Sequence, residues 1–281
     1  MRIAISILVA FLGLTAAAAA DDLPAKLELD VLFGDMKRAP IRVDGEPIWV
    51  IFDTGSGITG IGPKTAEAIG CESFGRMVGF RMSGEALSVP WCGRPDVDVA
   101  GVKSDEMVMF FDVGSVLPDD WPEVDGILSL AAYQDQVVTL DWSENLVIFE
   151  SPDSLQERTK GLTPGRIHQQ REVSGYGLSL FLEVEAEPQP LRVLLDSGNV
   201  AGTILAPHAF EILGVEPPAP PTDNSTSETV TMDFVVSGTM INPQEVFVEE
   251  IIYDGNFGTA FLNGHVITFD IASSQVWIVP K

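Results

Sequence analysis

The feature that most constrains this chain is an internal repeat. Pro47-Ile-Trp-Val-Ile-Phe-Asp-Thr-Gly55 lies over Pro190-Leu-Arg-Val-Leu-Leu-Asp-Ser-Gly198 at a constant offset of 143, the separation of Asp53 and Asp196. After one inserted residue the match resumes, with Pro63 to Gly70 over Pro207 to Gly214, each a short helix-like piece ending in glycine. A second block repeats at an offset of 129. There Asp125-Gly126 falls on Asp254-Gly255, and Val137-Val-Thr-Leu-Asp141 on Val266-Ile-Thr-Phe-Asp270. Both copies close with an apolar strand, Leu146 to Phe149 and Gln275 to Ile278. Two long copies of this kind predict two homologous lobes rather than a solenoid.

Each copy centres on an apolar strand that runs into an acidic, hydroxylic, glycine turn. Trp49 to Phe52 and Leu191 to Leu195 carry the β-branched, aromatic and aliphatic side chains of a buried strand. A carboxylate at the end of such a strand is costly unless it is hydrogen-bonded or paired. Thr54 and Ser56 bring hydroxyls, and Gly55 and Gly57 let the backbone turn tightly with its N–H groups free. One such triplet is no more than an Asx turn closing a strand. Two of them, at the same place in two copies, are a candidate pair of carboxylates.

These residues resemble the aspartic peptidases: the two-lobed pepsin type in overall plan, and the retroviral type in local sequence. The resemblance runs from about Leu27 to Val279. It rests on Asp53-Thr54-Gly55, Asp196-Ser197-Gly198 and the later Asp125-Gly126-Ile-Leu. It implies a mainly β fold of two homologous β-barrel-like lobes with a cleft between them. It also implies roles. Asp53 and Asp196 are the catalytic dyad, Thr54 and Ser197 interlock the two turns, and Ser56 donates to the Asp53 carboxylate. Gly55 and Gly198 keep the water site open, and the hairpin tip at Ser83-Gly84-Glu85 is the flap over the substrate. Phe80 and Trp91 are candidates for aromatic cover, because the flap has no tyrosine. The implied activity is hydrolysis of peptide bonds in a peptide or protein substrate, with no cofactor and no metal.

Three residues depart from the family pattern. Asn199 stands where a small or hydroxylic residue is usual, although its amide can donate to Asp196. Ser129 stands where glycine is usual, and Asn256 where an apolar residue is usual; Gly258 fits the glycine place in the second copy. These departures carry the alternative that the chain is a catalytically silent relative, binding peptides or a partner protein in the same cleft. A purely structural, unrelated exported β-protein is the third reading, and the length of the repeat argues against it.

The chemistry asked of the pair is simple. Water attacking a peptide needs a base to take its proton and an acid to protonate the carbonyl oxygen. At about 4 Å and an effective dielectric near 20, two carboxylates repel by roughly 4 kcal/mol, or about three pKa units. One therefore keeps a proton while the other is ionised, and the pair titrates as a unit.

Along the chain, Met1 to Ala20 has the pattern of a signal peptide, with Arg2, an apolar stretch and a run of small residues. Residues 21–150 form the N-terminal lobe with its flap, 151–177 a polar linker without helical or strand period, and 178–281 the C-terminal lobe. Few residues precede the first strand, so a long inhibitory pro-segment is not expected. Val215 to Glu228, rich in proline and hydroxyls, reads as a loop. One flap over two lobes implies a monomer rather than a symmetric dimer.

The formal net charge of −25 argues against nucleic acid and against anionic membrane surfaces. No stretch after the signal reaches spanning length, which points to the periplasm or to secretion. In such an oxidising compartment, Cys71 and Cys92 read as one disulfide within the first lobe, with two buried free thiols as the alternative. Two cysteines and three scattered histidines offer no metal-ligand spacing.

Overall fold

The computed structural model describes residues 24–118, 120–218 and 228–281. The expected signal segment, 1–20, and most of the proline-rich loop after Val215 lie outside them. The protein is mainly β. Its described strands fall into one sheet of 14 and one of 10.

The repeat is visible strand by strand. In the first half Glu46–Phe52 runs parallel to Gly126–Leu128, which pairs antiparallel with Gly60–Ile61, which runs parallel to Val108–Phe110. In the second half Leu191–Leu195, Gly255–Phe257, Thr203–Leu205 and Gln244–Val248 repeat the same order and the same alternation of pairings. Val50, Ile51 and Phe52 are buried, as are Val193, Leu194 and Leu195. Both central strands are covered on two faces, so their sequences are continuous apolar runs rather than alternations. The helices Pro63–Ala68 and Pro207–Leu213 each begin with proline, whose fixed φ and missing N–H suit a first helical turn.

A shared seam joins the halves. Val137–Asp141 pairs antiparallel with His265–Asp270, and Thr139 stands opposite Thr268. Their hydroxyls lie 2.9 Å apart, and the residues are 129 apart in sequence, the offset of the repeat itself. Equivalent residues thus meet face to face, as a local twofold axis requires. Val138, Leu140, Ile267 and Phe269 are fully buried in this seam. Each such side chain contributes about 1.5–3 kcal/mol relative to exposure.

The expected linker takes another form. Residues 151–177 hold the helix Pro152–Arg158 and the strand Gly165–Glu172, which pairs along its length with Gly177–Val184. Of that strand only Ile167 is buried. Its order comes from hydrogen bonds to neighbouring strands, and its sequence therefore lacks apolar alternation. Cys71 and Cys92 are joined in a disulfide, which ties the segment after the first helix to the strand Ala86–Gly93. No described helix is long and apolar enough to cross a membrane.

Candidate active site

Asp53 and Asp196 each follow a central strand, and each N–H donates to the neighbouring parallel strand. Asp53 donates to the Leu128 carbonyl and Asp196 to that of Phe257, both at 3.0 Å. The hydroxyl residues beside them are interlocked. The Thr54 N–H donates to Ser197 Oγ and the Ser197 N–H to Thr54 Oγ1, both at 3.0 Å. The two hydroxyls then donate across the boundary, Thr54 to the Leu195 carbonyl and Ser197 to that of Phe52, both at 2.9 Å. Both side chains are buried, so this reciprocal set satisfies groups that water cannot reach.

The interlock brings the carboxyl groups together. Gly55 and Gly198 donate their N–H groups to Oδ1 of Asp53 and Asp196 respectively, both at 2.9 Å. A Cβ on Gly198 would stand 2.9 Å from Asp53 Oδ2, and one on Gly55 would collide with the Asp196 carboxyl. Glycine is required here by the approach of the opposite acid. The Asp53 and Asp196 carboxyl groups thus stand close enough for the charge of one to act on the other. Burial first, and the Asp196 charge second, hold the Asp53 carboxyl well above the ordinary carboxylate range, while the Gly55 and Ser56 N–H groups pull it down.

Two side chains depart from their expected roles. The Ser56 hydroxyl donates to the Ile58 carbonyl at 2.9 Å, and it is the Ser56 N–H that reaches Asp53 Oδ1, at 3.2 Å. The turn offers that hydroxyl a local carbonyl, which short polar side chains readily take. Nor does the Asn199 amide donate to Asp196. Its Nδ2 donates to the Gly202 carbonyl and to Asn256 Oδ1, both at 2.8 Å. Asn256 then donates from Nδ2 to Asp196 Oδ2 at 2.7 Å. Asn256 occupies an apolar place in the repeat, so its part in the site was not legible from its own segment.

The unusual residues also fit one another sterically. A Cβ on Gly258 would sit 2.7 Å from the Gly202 carbonyl oxygen and 2.8 Å from Asn199 Nδ2. In the first half the smaller Ser56 leaves room for Ser129, whose hydroxyl donates to the Ser56 carbonyl at 2.6 Å. Asn199 therefore goes with Gly258, and Ser56 with Ser129.

The expected hairpin is present as Phe74–Phe80 and Ala86–Gly93. Its tip closes with the Gly84 N–H on the Arg81 carbonyl at 2.8 Å, and Gly84 has a φ of +84°, which glycine tolerates best. The tip rests on the second half, where the Ile252 N–H donates to the Met82 carbonyl at 3.0 Å. Beneath it is a cleft of about 600 Å³ containing both aspartates, lined by Met77, Phe80, Met82, Ser83, Glu172 and Tyr253 among others. Ser83 and Arg81 line this cleft, while Glu85, outside the lining, pairs with Arg81 at 3.2 Å. Phe80 lines the cleft; Trp91 instead packs edge-on against Tyr176, with ring centroids 5.3 Å apart.

Glu172 and Tyr253 belong to the cleft and come from segments that carry no sequence signal for it. Tyr253 packs edge-on against Phe181 at 5.1 Å and lines the cleft together with Glu172. Burial, then the Glu172 charge, push the Tyr253 hydroxyl up to about 12. Burial also raises Glu172, against the hydrogen bonds from Ser179 and Tyr253.

No family model matches the chain. No curated protein matches it in sequence. Among solved structures it is similar to basic 7S globulin from soybean, with 10% identity over 90% of this chain and 94% of that one, at a TM-score of 0.56. At that identity the likeness is one of fold.

Proposed function

We propose that this chain is an exported aspartic endopeptidase, built of two β lobes of the aspartic peptidase fold, in which Asp53 and Asp196 activate water. One observation carries the reading: the reciprocal Thr54 and Ser197 bonds set two half-buried carboxyl groups side by side at the floor of a cleft. A carboxylate pair is expensive to bury. Packing alone gives no reason to hold one there, whereas acid–base chemistry needs it.

The ionised carboxylate takes a proton from water as its oxygen attacks the peptide carbon, and the protonated carboxyl gives its proton to the carbonyl oxygen. The tetrahedral intermediate collapses as the carboxyl that took the water proton gives it to the nitrogen and the other carboxylate takes a proton from a hydroxyl of the intermediate, which breaks the C–N bond and restores the starting pair. The substrate lies extended under the flap, where strand-like hydrogen bonds hold its backbone and the apolar cleft reads alternate side chains. The disulfide and the acidic surface suit the periplasm or an extracellular space.

The test is cleavage of an unfolded protein between about pH 3 and 7, with and without a statine-type transition-state mimic. Cleavage that the mimic abolishes is the expected result. A folded protein that leaves the substrate intact at every pH overturns the reading and leaves a silent peptide-binding cleft.

A further inference from the structure

We propose that Asn256 is a positioning residue that makes the two aspartates unequal, holding Asp196 as the carboxylate and leaving the shared proton on Asp53. The catalytic meaning of this assignment rests on the peptidase reading; the assignment itself does not.

The argument begins with donors. Asp196 receives one at each oxygen, the Gly198 N–H on Oδ1 at 2.9 Å and Asn256 Nδ2 on Oδ2 at 2.7 Å. Neither an amide N–H nor an NH₂ group can accept a proton, so both favour the ionised acid. Asp53 is served differently. Its two donors, the N–H groups of Gly55 and Ser56, both reach Oδ1, at 2.9 and 3.2 Å. Oδ2 of Asp53 receives neither of them and is left to carry the proton.

The direction of the Asn256 amide is set by its surroundings. Turned over, it would place its oxygen against the Asp196 carboxylate and its NH₂ against that of Asn199. Asn199 is itself fixed at both ends, donating to the Gly202 carbonyl at 2.8 Å and accepting from the Ala201 N–H at 2.9 Å. Two side-chain amides thus run in series from a rigid turn to one oxygen of one aspartate. Asn256 is wholly buried, and its Nδ2 also faces Met82 Sδ of the flap tip at 3.1 Å. The closed flap therefore covers the amide.

The first half has no counterpart to this path. The residue equivalent to Asn256 is Ile127, which has no donor, and the residue equivalent to Asn199 is Ser56, whose hydroxyl is spent on Ile58. The inequality is therefore a property of two substitutions in one copy of the repeat. Other titratable or charged groups face the same cleft: Glu172, Tyr253 and Arg81 of the flap. None of them is hydrogen-bonded to Asp196 Oδ2, the oxygen that Asn256 serves.

The assignment is tested by carbon-detected NMR titration of the aspartate carboxyl groups in the full protein, assigned with Asp53→Asn and Asp196→Asn. Asp53 should keep its proton after Asp196 has ionised; the reverse order overturns the proposal. The double variant Asn199→Ser, Asn256→Ile gives the second half the pair already accommodated in the first. In it the two titrations should draw together. The acid limb of kcat/KM should move up by about one pH unit, kcat should fall about tenfold and KM should stay within about twofold. An unchanged titration order and an unchanged limb in that folded variant would also overturn it. Titration needs no turnover. An inactive protein with the proton on Asp53 defeats only the peptidase reading, and an active one with the proton on Asp196 defeats only the assignment.

Discussion

Thr54 and Ser197, 143 residues apart, each accept the other's backbone N–H at 3.0 Å. Each also donates its hydroxyl to a strand of the opposite half. The site is therefore held by the same bonds that hold the halves together.

Removing one hydroxyl leaves a buried N–H and a buried carbonyl without partners. Such groups cost about 1–3 kcal/mol each, more than the bonds contributed on forming. Thr54→Val, nearly equal in volume, should lower unfolding stability by roughly 2–4 kcal/mol in urea titration, where an exposed Thr→Val change would do nothing measurable.

Asp53 should cost the fold stability at neutral pH. Its carboxyl is raised by burial and by Asp196. The stability linked to a raised carboxyl is present at low pH and is lost as pH rises above the ordinary carboxylate range. Asp53→Asn removes the charge and keeps the shape. Its melting temperature at pH 7 should exceed that of the parent by about 3 °C, with the gap closing towards pH 4.

Glu106 makes a second case, away from the cleft. Burial pushes its carboxyl up to about 7, against the opposing charges of Arg171 and Arg94, and its Oε1 is buried without a hydrogen-bond partner among the described residues. The unfolded chain ionises first as pH rises, so stability falls between about pH 4.5 and 7. Glu106→Gln should recover about 2 kcal/mol at pH 7.5, after discounting for partial solvation, and almost nothing at pH 4.5. Denaturation midpoints at the two pH values check this. His265 acts in the opposite sense: burial lowers it, so its contribution is lost as pH falls.

The disulfide closes a loop with a sequence separation of 21. Loop-closure entropy assigns such a link about 3 kcal/mol. Replacing Cys71 and Cys92 with alanine should lower unfolding stability by that order in guanidinium titration. The residues around the aspartates stay in place, because the link ends on the strand Ala86–Gly93 and not on either turn.

What was legible in the sequence follows from how each part is encoded. The matching strands were readable because a repeat writes them twice, as with Val137 to Asp141 and Val266 to Asp270; that these two pair with each other, Thr139 on Thr268, was not, because an offset says nothing of which copies meet. The hairpin was readable from its tip at Ser83-Gly84-Glu85. Asn256 was not, because its donation to Asp196 depends on Asn199, 57 residues earlier, and neither segment alone shows the bond. Ser56 was misassigned because a hydroxyl in a turn chooses among local carbonyls by geometry finer than spacing. The strand Gly165–Glu172 was missed because it is ordered by its neighbours rather than by a buried face.

The most direct test of the account is cleavage of an unfolded protein by this protein, set beside Asp53→Asn and Asp196→Asn, each shown to be folded. The account predicts activity in the parent between about pH 3 and 7 and a loss of at least a thousandfold in both variants, since neither acid can act without the other. Equal cleavage by the parent and either variant, or none by any of the three, would contradict it.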